Sequence, residues 1–213
     1  MKIWLLAVAL LLSACTTPAR PSATPSVTPS PTAAATASPA PTPTPTAECA
    51  VSVLATMTEE QRVGQLFLLG LANDQLGAAE QNAIRTYHFG SVWFVEQSAA
   101  GAPAIRAVAD AVQALATQDT TAGVRFFVAA NQEGGIIQSL KGPGFSTIPS
   151  ALDQSAIDPA TLQTSAALWG RELASAGVNL NFAPVLDVVP PGTDAQNEPI
   201  GALRRGYGHD PAT

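Results

Sequence analysis

Apolar positions along the chain follow two alternating spacings. Short continuous apolar runs at 65–71, 91–95, 124–130 and 178–188 have the length of buried strands. Between them, apolar residues return every three or four positions, the spacing of an amphipathic helix. Residues 103–117 place Ile105, Val108, Val112 and Leu115 on one face. The segment opened by Asp158-Pro159 does the same with Leu162, Ala166, Trp169, Leu173 and Ala176. Proline at the first helical position and Gly177 after the last apolar one are its start and stop signals. Residues 78–88 predict a further helix, stopped by Phe89-Gly90, and 57–64 a short one with Thr58 as N-cap and acidic residues in its first turn.

Strand and helix alternating in this way is the order of parallel βαβ units, so the fold class is α/β with four such units visible. After the fourth strand the chain runs through Pro190-Pro191-Gly192 to Asp210-Pro211, another helix-start signal. Four parallel strands do not close a barrel; closure in this class takes eight strands and typically about 250 residues.

The chemistry concentrates at 124–140, VRFFVAANQEGGIIQSL. An apolar strand here delivers Asn131, Gln132 and Glu133 into a Gly-Gly turn. Parallel α/β proteins build ligand sites at such strand ends, and glycine permits positive φ or close backbone approach to a ligand. A strand end with a merely solvated turn has the same pattern, and on this stretch alone both readings stand.

Upstream of residue 49 the pattern changes character. Lys2 followed by an apolar core at 3–12 has the form of an export signal over residues 1–14. Its core is short of the roughly 20 apolar residues that span a bilayer. Leu12-Ser13-Ala14-Cys15 resembles a bacterial lipoprotein signal, which implies cleavage before Cys15 and lipidation there; the alternative is an ordinary secretory signal with a free cysteine. Residues 15–48 are nearly all Pro, Thr, Ser and Ala. With almost no large apolar side chains, such a segment does not offset its ordering entropy, and it is expected to be a disordered, polyproline-like linker. Its full reach is on the order of 100 Å. A Thr- and Pro-rich stalk is also a possible carrier of O-glycans.

The 213 residues carry 10 Lys and Arg against 16 Asp and Glu, a net charge of −6. With no basic patch, nucleic acid is excluded as a partner. Cys49 is the one cysteine besides Cys15, which supports neither a disulfide core nor a metal site and leaves an idle or buried thiol. No cofactor motif is present. His88 and His209, the only histidines, are expected at the surface.

Four stretches, MTEEQRVGQLF (57–67), VAANQEGGIIQSL (128–140), GRELASAGVNLNFAPVLDV (170–188) and IGALRRGYGHDP (200–211), together resemble family-three glycoside hydrolases, in the manner of the single-domain bacterial β-N-acetylhexosaminidases that act on cell-wall amino sugars. The resemblance implies a (β/α)8 TIM-barrel type, of which residues 49–213 hold about the first four βα units. It implies a retaining glycosidase with a carboxylate nucleophile and a separate acid/base. In the family these follow a late strand and a Lys-His-Phe-Pro-Gly-His motif; neither pattern occurs here, so no catalytic residue is assigned and residues 1–213 alone are expected to be inactive. What it assigns is the substrate-holding part. Asn131 stands where the family has an Asp that accepts from sugar hydroxyls. Arg205 takes the place of a sugar-contacting Arg, with Arg204 a rival because two residues are inserted after Ile200-Gly201. Glu133 and Asp187 fall on matching positions, as substrate-binding or structural carboxylates.

The expected protein is thus a monomeric hydrolase of carbohydrate metabolism, lipid-anchored outside the cytoplasm at the bacterial cell membrane, with a carbohydrate substrate and no cofactor. A non-catalytic glycan-binding surface lipoprotein is the alternative. A solute-binding lipoprotein serving a transporter shares the anchor and linker but not the four motifs.

Overall fold

A computed structural model of the chain describes residues 45–212. The export signal, Cys15 and most of the expected linker lie outside these residues. Helix α1 (Pro45–Thr56) begins inside the segment read as linker. Proline suits a first helical position because its missing N–H would have no partner there, and the Ala-, Val- and Glu-containing run behind it sustains a helix. Cys49 is exposed on α1 rather than buried.

Helix α2 (Glu59–Gly64) starts as the sequence predicts. Thr58 accepts from the Gln61 amide and Gln61 returns a bond to the Thr58 amide, a capping box that satisfies two backbone donors. The apolar run behind it divides. Residues 65–67 finish the helical turn, and only Leu68–Leu71 forms strand β1. Helix α3 (Ala78–Tyr87) follows and ends at His88, whose left-handed φ of 57° caps it through the Ile84 carbonyl. Strand β2 (Ser91–Phe94), helix α4 (Ala102–Gln113), a one-turn helix α5 (Gln118–Thr121) and strand β3 (Phe127–Ala130) complete two more units. The expected helix at 103–117 is therefore split, because Thr117 caps α5 instead of continuing α4.

Between β3 and the last strand lie three elements. Strands β4 (Gln132–Gly134) and β5 (Ile137–Gln138) form an antiparallel hairpin with an irregular register between Gln132 and Gly134. A one-turn helix α6 (Ala151–Gln154) precedes helix α7 (Pro159–Ser175), which Asp158 caps by accepting from the Thr161 amide. Strand β6 is only Leu180–Asn181, with the rest of 178–188 irregular. Pro184 offers no ladder donor, and β6 has one neighbour, β3.

The sheet runs β1-β2-β3-β6, all parallel. Register places Leu69, Val92 and Val128 in one row and Leu71, Phe94 and Ala130 in another. These rows form one core with Ile84 of α3, Ile105, Ala109 and Val112 of α4, and Leu173 and Ala176 at the end of α7. Full burial of a side chain such as Phe94 or Ile84 stabilises by about 1.5–3 kcal/mol. All three crossover helices thus pack on one face. The opposite face carries Leu68, Phe127 and Phe182, which are exposed, and a half-buried Trp93 edge-on to Phe182 at 6.0 Å. A doubly wound sheet has helices on both faces; a wall covered outside and bare inside is a sector of a barrel.

Candidate functional site

The carboxyl ends of the strands converge on one rim. At the end of β1, Asp74 is 3% exposed. Its Oδ1 accepts from the Glu96 amide at 3.1 Å, tying the β1 end to the β2 end, while Oδ2 has no partner among the described residues. Burial pushes the Asp74 carboxyl above its ordinary value, against the pull of that backbone bond. At the end of β3, Asn131 is partly buried; its carbonyl accepts from Ser139, and none of the hydrogen bonds in this region uses its side chain. Continuing the alternation of β3 puts Asn131 on the inner face with Phe127 and Ala129.

Asn179, just before β6, and Asn181 within it hold that short strand in place. Asn179 Oδ1 accepts from the Val128 amide at 2.7 Å and its Nδ2 donates to the Phe126 carbonyl at 3.0 Å. Asn181 repeats this one step on, accepting from the Gln132 amide at 3.0 Å and donating to the Gln132 carbonyl at 3.3 Å. Asn179 thus serves the start of β3 and Asn181 the segment just beyond its end, each amide using both its acceptor and its donor.

Beyond β3 the glycines turn the chain back. Gly134 has φ of 111°, and a Cβ there would lie 2.0 Å from the Pro149 carbonyl. That close approach seats the hairpin on the segment leading into α6.

Glu133 then meets the late loop. Arg205 donates through Nε to Glu133 Oε2 and through Nη2 to Oε1, both at 2.8 Å, while its Nη1 donates to the Pro199 carbonyl at 2.7 Å. The pair is largely enclosed, with side-chain exposures of 23% for Arg205 and 4% for Glu133. A bidentate pair in such surroundings fixes orientation as well as charge. It holds the Arg205 guanidinium above its ordinary value, with the Asp187 charge adding to the effect. Arg204 points the other way. Its φ of 56° turns the backbone, and its side chain reaches Ser150 and Asp153 at the start of α6, about half exposed.

A hollow of about 330 Å³ opens beside this pair. Its polar wall is Gln132, Glu133, Gln154, Asn181 and Tyr207, and its apolar wall includes Leu162 and Trp169 of α7. A second hollow, of about 410 Å³, adjoins it across Leu162, Pro184 and Tyr207 and contains Asp187. Asn131 lines neither.

The sequence model described as the Glycosyl hydrolase family 3 N terminal domain matches residues 58–213. The chain belongs to glycosyl hydrolase family 3. Its structure is similar to that of a β-N-acetylhexosaminidase from Beutenbergia cavernae at 49% identity, with TM-score 0.70 over 72% of this chain. A family 3 β-N-acetylglucosaminidase from Paenibacillus is similar at 25% identity, TM-score 0.60 over 73%. NagZ from Neisseria gonorrhoeae, solved with N-trifluoroacetyl-D-glucosamine, shares the fold at 20% identity, TM-score 0.54 over 68%. The chain spans 46%, 28% and 41% of those three chains, less than half of each. Curated proteins yield no match. The fold is α/β of TIM-barrel type, represented among the described residues by four parallel strands and the three crossover helices between them.

In this family 3 chain the four expected substrate-binding residues separate. Glu133 and Arg205 bind each other, Asp187 lies exposed in the adjoining hollow, and Asn131 stands apart on the inner face. Gln154 and Tyr207 were not among the expected site residues. Tyr207 donates to Gln154 Oε1 at 3.0 Å, and Gln154 Nε2 donates to the Glu133 and Pro149 carbonyls at 2.9 and 2.8 Å. No periodicity marks a lone Gln in a one-turn helix. The one available signal was Tyr207 inside a motif already singled out. Both histidines are half-buried rather than at the surface, each with a backbone carbonyl on Nδ1: Thr120 for His88 and Val189 for His209.

Proposed function

We propose that this chain is the sugar-holding part of a glycoside hydrolase that cleaves O-glycosyl bonds, of the retaining β-N-acetylhexosaminidase type acting on cell-wall amino sugars. The observation that carries the reading is the 49% identity to the Beutenbergia β-N-acetylhexosaminidase across most of the described residues. Asn131, with an uncommitted amide at a barrel-strand end, is in position to accept from and donate to sugar hydroxyls. Arg205, locked by Glu133, supplies a fixed positive charge beside the 330 Å³ hollow. The protein works as a monomer outside the cytoplasm, anchored to the cell membrane by lipid on Cys15.

Calorimetric titration of the full chain tests the sugar reading. N-acetylglucosamine should bind in preference to glucose, Arg205→Ala should weaken it about tenfold as expected for loss of a charged hydrogen bond, and Arg204→Ala should change little. Equal affinity for both sugars would remove the amino-sugar assignment. Turnover of an aryl N-acetyl-β-glucosaminide by a protein uniting this chain with the Lys-His-Phe-Pro-Gly-His motif separates a hydrolase from a non-catalytic glycan-binding lipoprotein. The anchor is tested by metabolic lipid labelling, which Cys15→Ser should abolish.

A further inference from the structure

Gln154 is 3% exposed and all three of its side-chain bonds are fixed in sense. Its Nε2 faces two carbonyls, of Glu133 and Pro149, which only accept. Its Oε1 must therefore face the Tyr207 hydroxyl, and that hydroxyl must donate. Burial, with the Glu133 charge adding to it, pushes the Tyr207 phenol up, which keeps that donated proton in place. Glu133 is thus gripped at both ends by one loop. Its carboxylate is held by Arg205, and its carbonyl is held, through Gln154, by Tyr207. On the loop side a single residue, Gly206, separates the two grips. Just before them, the Arg205 N–H donates to the Ile200 carbonyl at 3.0 Å.

We propose that Gln154 and Tyr207 are positioning residues for the sugar site: together they set the depth and angle at which Arg205 meets Glu133, and so where the guanidinium stands toward a bound amino sugar. This rests on the reading of the site given under Proposed function. Both also line the hollow; the effect proposed for them is the one they exert through Arg205, which the double-mutant cycle separates from direct contact. A tyrosine hydroxyl is required, because phenylalanine fills the same space without the proton.

The test is a double-mutant cycle on the full chain, with the affinity for N-acetylglucosamine and hydrogen exchange of the 200–207 amides as its two readouts. Tyr207→Phe should weaken the sugar about fivefold, the scale of one lost neutral hydrogen bond. It should also speed exchange at Arg205 while leaving exchange in β1–β3 unchanged. In an Arg205→Ala background Tyr207→Phe should have no further effect on affinity, since the residue through which it acts is gone. Gln154→Met should reproduce the Tyr207→Phe effect. Additive effects of Tyr207→Phe and Arg205→Ala, or unchanged exchange at 200–207, would overturn the proposal. If the unaltered chain binds no N-acetylglucosamine, the sugar reading falls by itself, and the exchange measurement still decides whether the loop is held this way.

Discussion

Single residues carry the sharpest consequences. Asp74 holds its proton to a higher pH in the folded chain than in the unfolded one, because burial opposes its charge. In the window between the ordinary carboxylate value and the raised one, the folded state binds more protons than the unfolded state, so stability falls as pH rises through it. Asp74→Asn keeps an Oδ1 acceptor for Glu96 and removes the buried charge, while its Nδ2 takes the place of the unpartnered oxygen. It should flatten that fall with pH, seen in melting points followed from acid to neutral pH. Asn131 is the second case. A carboxylate there accepts from two hydroxyls with full charge, so Asn131→Asp should tighten N-acetylglucosamine about tenfold in a calorimetric titration; weaker binding would mean that the amide donates to the sugar. Asn131 and the Arg204-Arg205 pair were legible in the sequence; Asp74 was not, nor was the direction each arginine takes. Which of two adjacent arginines turns inward depends on a left-handed φ at Arg204, and spacing alone does not reveal it.

At the scale of elements, strand order, helix order and most caps could be read from periodicity, because they depend on local spacing and local hydrogen bonds. The Thr58 cap and the Asp158-Pro159 start are examples. Strand length could not. Residues 178–188 look like one long strand, yet only two residues pair, and the asparagines that interrupt the apolar run add side-chain bonds to Val128 and Gln132 beside that short backbone ladder. Cutting that amide link should therefore matter more than its exposed position suggests. Asn179→Ala leaves the Val128 amide without its acceptor, while the Phe126 carbonyl keeps its bond from Gln113, and should cost about 1–3 kcal/mol, measured by denaturant unfolding. Helix α7 shows a related limit. The spacing makes Leu162, Ala166, Trp169, Leu173 and Ala176 its buried face, but only Leu173 and Ala176 are buried. Leu162 and Trp169 overhang the sheet and wall a hollow instead, a distinction set by where the helix stands over the strand ends.

For the whole molecule, the decisive feature is that one face of the sheet is covered and the other is not. Parallel pairing was legible from the strand–helix alternation; coverage of a single face was not, since helices on one side or both sides give the same alternation. The bare face, with Phe127 at 57% and Phe182 at 39% exposure, should bind an apolar dye. Phe127→Ser should lower that dye signal in proportion to the apolar area lost, and an unchanged signal would place the dye elsewhere. The order of strands across the sheet, β1-β2-β3-β6, is also their order along the chain. No strand waits for a later one to be inserted beside it. As the polypeptide emerges amino-terminus first from a ribosome or a translocation channel, each new strand finds its single partner already made. Assembly can then advance as a zipper, one short crossover at a time, with growth confined to the edge of the newest strand while the outer edge of β1 stays as it is.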